Sequence, residues 1–301
     1  MKNQELITVI VTTYKRDTEI VLRAVNSVIA QTYQNLEIII VDDSPSSFEK
    51  RAEVENAIAK IDDSRVNYVK HEYNLGACAA RNTGIKISKG NFIAFLDDDD
   101  LWHFDKIEKQ IDKILLSECG LVYCRYYIID QRKNKKKIYA EKFHEGNVFY
   151  QLLKVNFIGS TSFPLIRKEC FQECGFFDET LKASQDYDMW LRISQKFLVD
   201  YIDQPLADYF IHKGESISNN INNRIQGAKA INKKHSIFLK KNSRVYGYRL
   251  ALMSIFFAMA GQRKDALNAC IKGIKLAPFN LKGNLRAVWN LVISAIGIRT
   301  R

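Results

Sequence analysis

The chain of 301 residues contains four prolines and fourteen glycines, too few for collagen-like or low-complexity structure. Its 11% aromatic content sets it apart from disordered sequences. No apolar run approaches the ~18 residues of a membrane-spanning helix. The longest candidates, Leu250–Ala260 and Ala287–Ile298, fall short, and Asn290 and Ser294 interrupt the second. A signal-peptide pattern is also missing. Lys2 precedes only the short stretch Leu6–Val11, which runs straight into Thr12-Thr13-Tyr14-Lys15-Arg16 without a small-residue cleavage site. The expectation is a cytoplasmic protein. The six cysteines, at 78, 119, 124, 170, 174 and 270, lack the C-x-x-C spacing of a zinc site. They are expected as free thiols packed like small hydrophobes.

Acidic residues are almost absent from one end. Residues 219–301 hold sixteen Lys/Arg and a single acid, Asp265, whereas residues 1–218 hold 29 basic and 33 acidic groups. So basic a segment calls for an anionic partner or serves as a solvated face. Three readings follow: an anionic membrane surface, a helical surface kept soluble by its charge, or nucleic acid. The last has no reading module to accompany it, so nucleic acid is not expected as a partner.

The first hundred residues alternate between strand and helix patterns. Leu6–Val11, Leu36–Val41 and Phe92–Leu96 are continuous β-rich runs of the kind buried on both faces. Between them, apolar positions such as Ile20, Val21, Ala24, Val25 and Val28 follow helical spacing. This βαβαβ order predicts an α/β fold with a mostly parallel, Rossmann-like sheet flanked by helices. Ligands of such sheets bind beyond the carboxyl ends of the strands. Thr12–Tyr14, Asp42-Asp43 and Asp97–Asp100 all follow strand ends, so they are expected to meet on one rim. Past residue 219 the strand signals stop. Helices are expected near 246–260 and 263–276, and a boundary near 218 separates a domain at 1–218 from a basic helical region at 219–301.

Four consecutive aspartates at a strand end are electrostatically costly. Two charges about 4 Å apart repel by about 4 kcal/mol at an effective dielectric near 20. The burial of Phe92–Leu96 fixes where the chain emerges, and the two-residue period sends Asp97 and Asp99 to one side. Carboxylate oxygens so placed suit Mg²⁺ or Mn²⁺, held through one or two carboxylates and a substrate's phosphates.

A series of motifs carries a specific resemblance. It comprises Val9-Ile10-Val11-Thr12-Thr13-Tyr14, Ser27–Thr32, Val41-Asp42-Asp43-Ser44 and Asn74-Leu75-Gly76 with Ala80-Arg81-Asn82-Thr83-Gly84. Phe95-Leu96-Asp97-Asp98-Asp99-Asp100, Gly175-Phe176-Phe177-Asp178-Glu179 and Gln185-Asp186-Tyr187-Asp188-Met189-Trp190-Leu191-Arg192 complete it. Over residues 6–218 the chain resembles a family 2 glycosyltransferase of GT-A fold, of the inverting, bacterial polysaccharide type. The resemblance implies a nucleoside-diphosphate sugar donor, UDP-linked in most members, and a glycan or lipid-linked acceptor at the inner face of the cell membrane. It places Thr12 and Tyr14 in the nucleotide pocket, Asp42 at the base and Asp98 at the ribose or donor sugar. Asp97 and Asp99 would serve the metal.

Arg81 either pairs with phosphate or forms a salt bridge at a helix start. Asp186 is the candidate catalytic base, with N-capping as its structural alternative. Asp188 is a competitor for the role of base, though Met189-Trp190 beside it points to an anchor. An Arg-x-His-x-x-Ser pattern often closes the family's diphosphate site. Here Phe210 stands in place of that Arg. Lys213 is a substitute cation, and His212 either contacts phosphate or metal or is structural. Two competing classes remain. A nucleotidyltransferase would carry a Gly-rich phosphate loop where Thr12–Arg16 stands, and a non-catalytic nucleotide-sugar binder or membrane scaffold would need neither Asp99 nor Asp186.

Overall fold

The computed structural model describes residues 5–139, 142–211 and 220–295. In chain order the elements are β1 (Ile7–Thr13), α1 (Thr18–Ile29), β2 (Leu36–Asp42), α2 (Arg51–Ala59), β3 (Val66–Lys70), α3 (Ala77–Ile87), β4 (Phe92–Asp97), β5 (Leu101–Trp102), α4 (Lys106–Leu115), β6 (Cys119–Asp130) and β7 (Lys135–Ile138). There follow α5 (Phe149–Lys154), β8 (Leu165–Arg167), α6 (Glu169–Cys174), α7 (Gln185–Ser194), β9 (Leu198–Ile211), α8 (Ile221–Lys234), α9 (Ser236–Lys241), α10 (Ser243–Met259), α11 (Arg263–Leu276) and α12 (Leu281–Ala295).

The chain divides into two compact units. One comprises Met1–Val148, Phe157–Glu179 and Met189–Lys213; the other comprises Phe149–Asn156, Thr180–Asp188 and Gly214–Arg301. The second unit therefore takes in two segments from within residues 1–218 besides the C-terminal helices.

In the first unit the strands order as β3-β2-β1-β4-β8-β6-β9-β5, with β7 beside β6. The pairs β3–β2, β2–β1, β1–β4 and β6–β9 are parallel. The short β8 and β5 enter antiparallel. The α/β, mostly parallel architecture expected from the βαβαβ pattern is thus the one observed. Alternate residues of β1 serve the two faces. Ile7, Val9 and Val11 pack with Val21, Ala24, Val25 and Val28 of α1, while on the other face Ile10 meets α3. There a Cβ on Gly84 would lie 2.5 Å from Ile10 Cγ2, so only glycine lets α3 approach the sheet this closely.

β9 has no counterpart in the sequence patterns read above. Its pairing with β6 shifts register between Cys124 and Arg125, where Ile202 gives way to Pro205, and again between Arg125 and Tyr127. Bulges break the two-residue alternation, and a proline inside a run reads as a strand breaker. The cysteines behave as expected: all six are free, and all but Cys174 are buried.

In the second unit α10 is the central helix. It buries residues around its whole circumference, from Val245 to Ala258, as a helix surrounded by others must. Phe256 and Phe257 pack with Ile225 and Ala228 of α8 and with Ala266 and Ala269 of α11. Ala251 and Ile255 pack with Cys270 and with Ala287 of α12.

One buried cation in the first unit sets a pH dependence. Lys106 is fully buried, with Nζ 3.9 Å from the Trp102 ring centroid and 2.7 Å from Gln110 Oε1, to which it donates. Burial lowers its pKa from 10.5 to about 8. Between those values the unfolded chain holds a proton that the folded chain has released, so this lysine's contribution to stability rises with pH. Lys106→Met is expected to be favoured over the wild type below about pH 8. That advantage should shrink by about 3 kcal/mol by pH 10.5, as measured by denaturant titrations of both proteins.

Candidate active site

The rim of the sheet in the first unit is built by strand register. Thr12 lies opposite Val41 of β2 and Asp97 of β4, and Thr13 opposite Asp42. The carboxyl ends of β1, β2 and β4 therefore deliver Thr12, Asp42 and Asp97 side by side.

The aspartate run leaves the strand at once. Asp97 is the last residue of β4, and a turn follows in which the Asp100 amide donates to the Asp97 carbonyl at 3.0 Å. The alternation predicted for an extended chain nevertheless survives as a pattern of exposure. Asp97 and Asp99 keep 29% and 26% of their side-chain surface, Asp98 keeps 5%, and Asp100 is fully buried.

Each carboxylate has its own partners. Asp97 accepts from Arg81 Nη2 at 2.7 Å, Ser160 Oγ at 3.1 Å and Thr161 Oγ1 at 3.2 Å. Asp98 accepts from Arg16 Nε at 2.9 Å and Nη2 at 2.8 Å, and from the Tyr14 amide at 3.4 Å. Asp99 shares Arg16 Nη2 at 3.2 Å. Asp100 accepts from Ser162 Oγ at 2.6 Å and from the Phe210 amide at 3.3 Å.

The energetics follow from that distribution. Burial pushes Asp98 upward against the pull of Arg16. Burial, with Asp97 and Asp99 nearby, lifts Asp100 well above the ordinary carboxylate range. Asp99 is pushed up to about 6, by burial first and then by the charges of Asp98 and Asp97. Arg16 offsets only part of this, so Asp99 holds its proton more readily than an ordinary carboxylate and gains from a cation beside it.

The loop after β1 closes one side of the rim. Lys15 takes a left-handed conformation, φ 47°, and its amide donates to Ser44 Oγ at 2.8 Å. Tyr14 is left 43% exposed, with Lys15 Nζ 5.5 Å from its ring centroid. Thr12 is half-buried beside it. Asp42 is buried; it accepts from the Ser44 amide at 2.8 Å and from Tyr68 Oη at 2.5 Å. Burial and that contact drive the Tyr68 pKa upward.

Arg81 forms a salt bridge to Asp97, with its guanidinium 5.6 Å from the Phe177 ring. His212 and Lys213 lie outside the described residues.

Several contributors have no role assigned from the sequence. Asp43 accepts from the amides of Leu75 and Gly76 at 2.8 Å each and contacts His71 Nδ1 at 2.8 Å. It thereby holds the turn that opens α3, where Gly76 sits at φ 94°. Arg16 joins Asp98 to Asp99 across more than eighty residues of sequence. Arg23 of α1 donates to the Asp99 carbonyl at 2.7 Å and lies 4.3 Å over the Phe210 ring. A cation thus stands on the residue that replaces the expected arginine, supplied by α1 instead of β9.

Asp186 belongs to the second unit. It is half-buried in the first turn of α7, and its Oδ1 accepts from the Tyr187 amide at 2.7 Å. Its surroundings are firmly built. Ser184, two residues before, takes φ 59° and accepts from the Asp188 amide at 3.0 Å. Tyr187 Oη lies 2.7 Å from the Leu152 carbonyl and receives Arg249 Nη1 at 3.3 Å. Asp188 is fully buried with Lys234 Nζ at 2.8 Å, an anchor as its neighbours suggested.

Comparison with known proteins gives a consistent picture. The sequence profile of Glycosyl transferase family 2 matches residues 8–175. The chain is 32% identical over 257 residues to an Escherichia coli protein named UDP-Glc:alpha-D-GlcNAc-diphosphoundecaprenol beta-1,3-glucosyltransferase WfaP, covering 80% of this chain and 90% of that one. It is 35% identical over 216 residues to an uncharacterized glycosyltransferase of Rickettsia conorii, covering 70% of this chain but only 34% of that longer protein. Its fold is similar to the crystal structure of S. aureus TarS 1–349 in complex with UDP-GlcNAc. The TM-score is 0.63 at 15% identity, covering 98% of this chain and 93% of that one.

Proposed function

The chain belongs to glycosyl transferase family 2, and from that premise we propose that it moves a sugar from a UDP-linked donor to a hydroxyl of a glycan or lipid-linked acceptor, with inversion at the anomeric carbon. The observation that carries this reading is the pair of half-exposed carboxylates, Asp97 and Asp99, on the rim that also carries the exposed Tyr14. WfaP is named for a UDP-glucose donor and a diphosphoundecaprenol-linked acceptor, and TarS was crystallised with UDP-GlcNAc. Both names carry a UDP-linked sugar, and the lipid-linked acceptor class comes from WfaP alone.

In this scheme Tyr14 and Thr12 receive the nucleotide. Asp42 takes the base and Asp98 faces the ribose or donor sugar, while their hydrogen bonds hold Tyr68 and the Tyr14–Arg16 loop. Arg16 and Arg23 supply positive charge next to the aspartate turn, where a diphosphate would lie. Mn²⁺ or Mg²⁺ fits the donor set, because Asp97 and Asp99 keep part of their carboxylate surface exposed and hard oxygen donors suit such ions. Among the described residues no three His, Cys, Asp or Glu side chains converge into a closed cage. Asp99 would therefore hold the ion with Asp97 and the donor's own phosphate oxygens. When bound, the ion offsets the charge of the departing diphosphate. Asp186 takes the proton from the acceptor hydroxyl as its oxygen bonds to the anomeric carbon and the bond to diphosphate breaks.

A panel of nucleotide sugars assayed with Mn²⁺ tests this function. UDP-glucose or UDP-GlcNAc should release UDP faster than GDP- or CMP-linked sugars release their nucleotides. Release of pyrophosphate from a nucleoside triphosphate and a sugar phosphate, with no UDP release from any donor, would establish the nucleotidyltransferase reading instead.

A further inference from the structure

The outward side of α12 is apolar where a surface helix is ordinarily polar. Leu281, Leu285, Val288, Trp289 and Val292 recur at i, i+4, i+7, i+8 and i+11, a single stripe of a 3.6-residue helix. All five are exposed, Leu285 to 70% and Trp289 to 63%, while Asn284, Ala287 and Asn290 form the buried side. α11 repeats the pattern. Leu267, Ile271 and Ile274 are exposed, and Ala266, Ala269, Cys270 and Gly273 are buried. Exposed cations border both stripes, Lys264 and Lys275 on α11, Lys282 and Arg286 on α12. Asp265 is the single acid on either helix. Scattered exposed apolar residues are ordinary, but helical stripes of them mark a contact surface.

The chemistry of the border selects the occupant. A second copy of the chain would bring one basic stripe against another, with one acid in residues 219–301 to relieve the repulsion. A nucleic acid would satisfy the cations and leave the leucines, isoleucines and valines in water. An anionic lipid surface satisfies both, offering the acyl boundary to the stripe and headgroups to the lysines and arginine. No helix of the described residues is long and apolar enough to cross a bilayer, so the contact lies in the interface. We propose that α11 and α12 form a docking face for an anionic lipid surface.

Tryptophan fluorescence reads this directly. Trp102 and Trp190 are buried at 2% and 0% exposure, so a change on adding vesicles reports Trp289. The full chain, without donor or acceptor, is mixed with phosphatidylcholine vesicles with and without phosphatidylglycerol. The expected result is a blue shift and co-sedimentation with the phosphatidylglycerol vesicles, weakening as salt rises. Leu285→Glu with Val292→Glu should weaken that binding at least about tenfold, with helix content unchanged by circular dichroism. Equal binding to both lipids, no shift with either, or stripe variants that sediment like the wild type would overturn the proposal. So would a wild-type dimer that the stripe variants dissociate while vesicles bind neither protein. Because no substrate is present, failure here leaves the glycosyl-transfer reading untouched, and failure of that reading leaves this result intact.

Discussion

Asp186→Asn is expected to lower kcat by about 10³-fold, within the range attributed to a positioned general base, while the donor KM stays close to that of the wild type. Asparagine preserves the size of the side chain and the hydrogen bond from the Tyr187 amide, so the first turn of α7 should remain as built. What it loses is the capacity to accept a proton from the acceptor hydroxyl. An interaction made only in the transition state lowers kcat and kcat/KM together, and steady-state kinetics across donor and acceptor concentrations would show that signature. The neighbouring Asp188→Asn should behave differently. It leaves Lys234 beside a buried neutral amide, so its main effect should be a lower melting temperature. If Asp186→Asn retained full turnover, Asp186 would not be the base and another group would have to take the proton.

Asp99→Asn is the second large effect. Asp99 combines exposure to the rim with the negative potential of its neighbours, and removing its charge removes the place where a divalent ion and the diphosphate would meet. Loss of a metal contact worth several kcal/mol predicts kcat/KM lower by about 10²–10³-fold, together with loss of any Mn²⁺ dependence in the residual rate. Arg16 would keep its bonds to Asp98, so the loop carrying Tyr14 should hold its shape and the fold should be unaffected. Asp97→Asn acts on the same ion and also weakens the ion pair with Arg81, so it is expected to affect stability as well as rate.

What could be read from the residues alone was set by local rules. Continuous burial marked β1, β2 and β4, and parallel register then brought Thr12, Asp42 and Asp97 to one rim. The two-residue period separated Asp97 and Asp99 from Asp98 and Asp100, and their exposures follow it even though the chain turns after Asp97. What escaped depends on partners distant in sequence. Arg16 and Arg23 gain their meaning from Asp98, Asp99 and Phe210, and nothing in the run Thr12–Arg16 or in an amphipathic helix announces those contacts. Asp43 was overshadowed by Asp42, although Asp43 is the one that ties the Leu75-Gly76 turn to the sheet. β9 was hidden by its own irregularities, Pro205 and three register shifts. The apolar stripe of α12 also needed the fold, because amphipathicity shows that a helix has two faces and only packing shows that the apolar one is turned outward.

The most direct test of the aspartate turn as a diphosphate site is a calorimetric titration of UDP into the wild-type protein and Asp99→Asn, each with Mn²⁺ and with a chelator. The expected result is wild-type binding at least about tenfold tighter with Mn²⁺ than without, and no such difference in Asp99→Asn. Equal UDP affinity in all four titrations, or no UDP binding by the wild type at all, would contradict it.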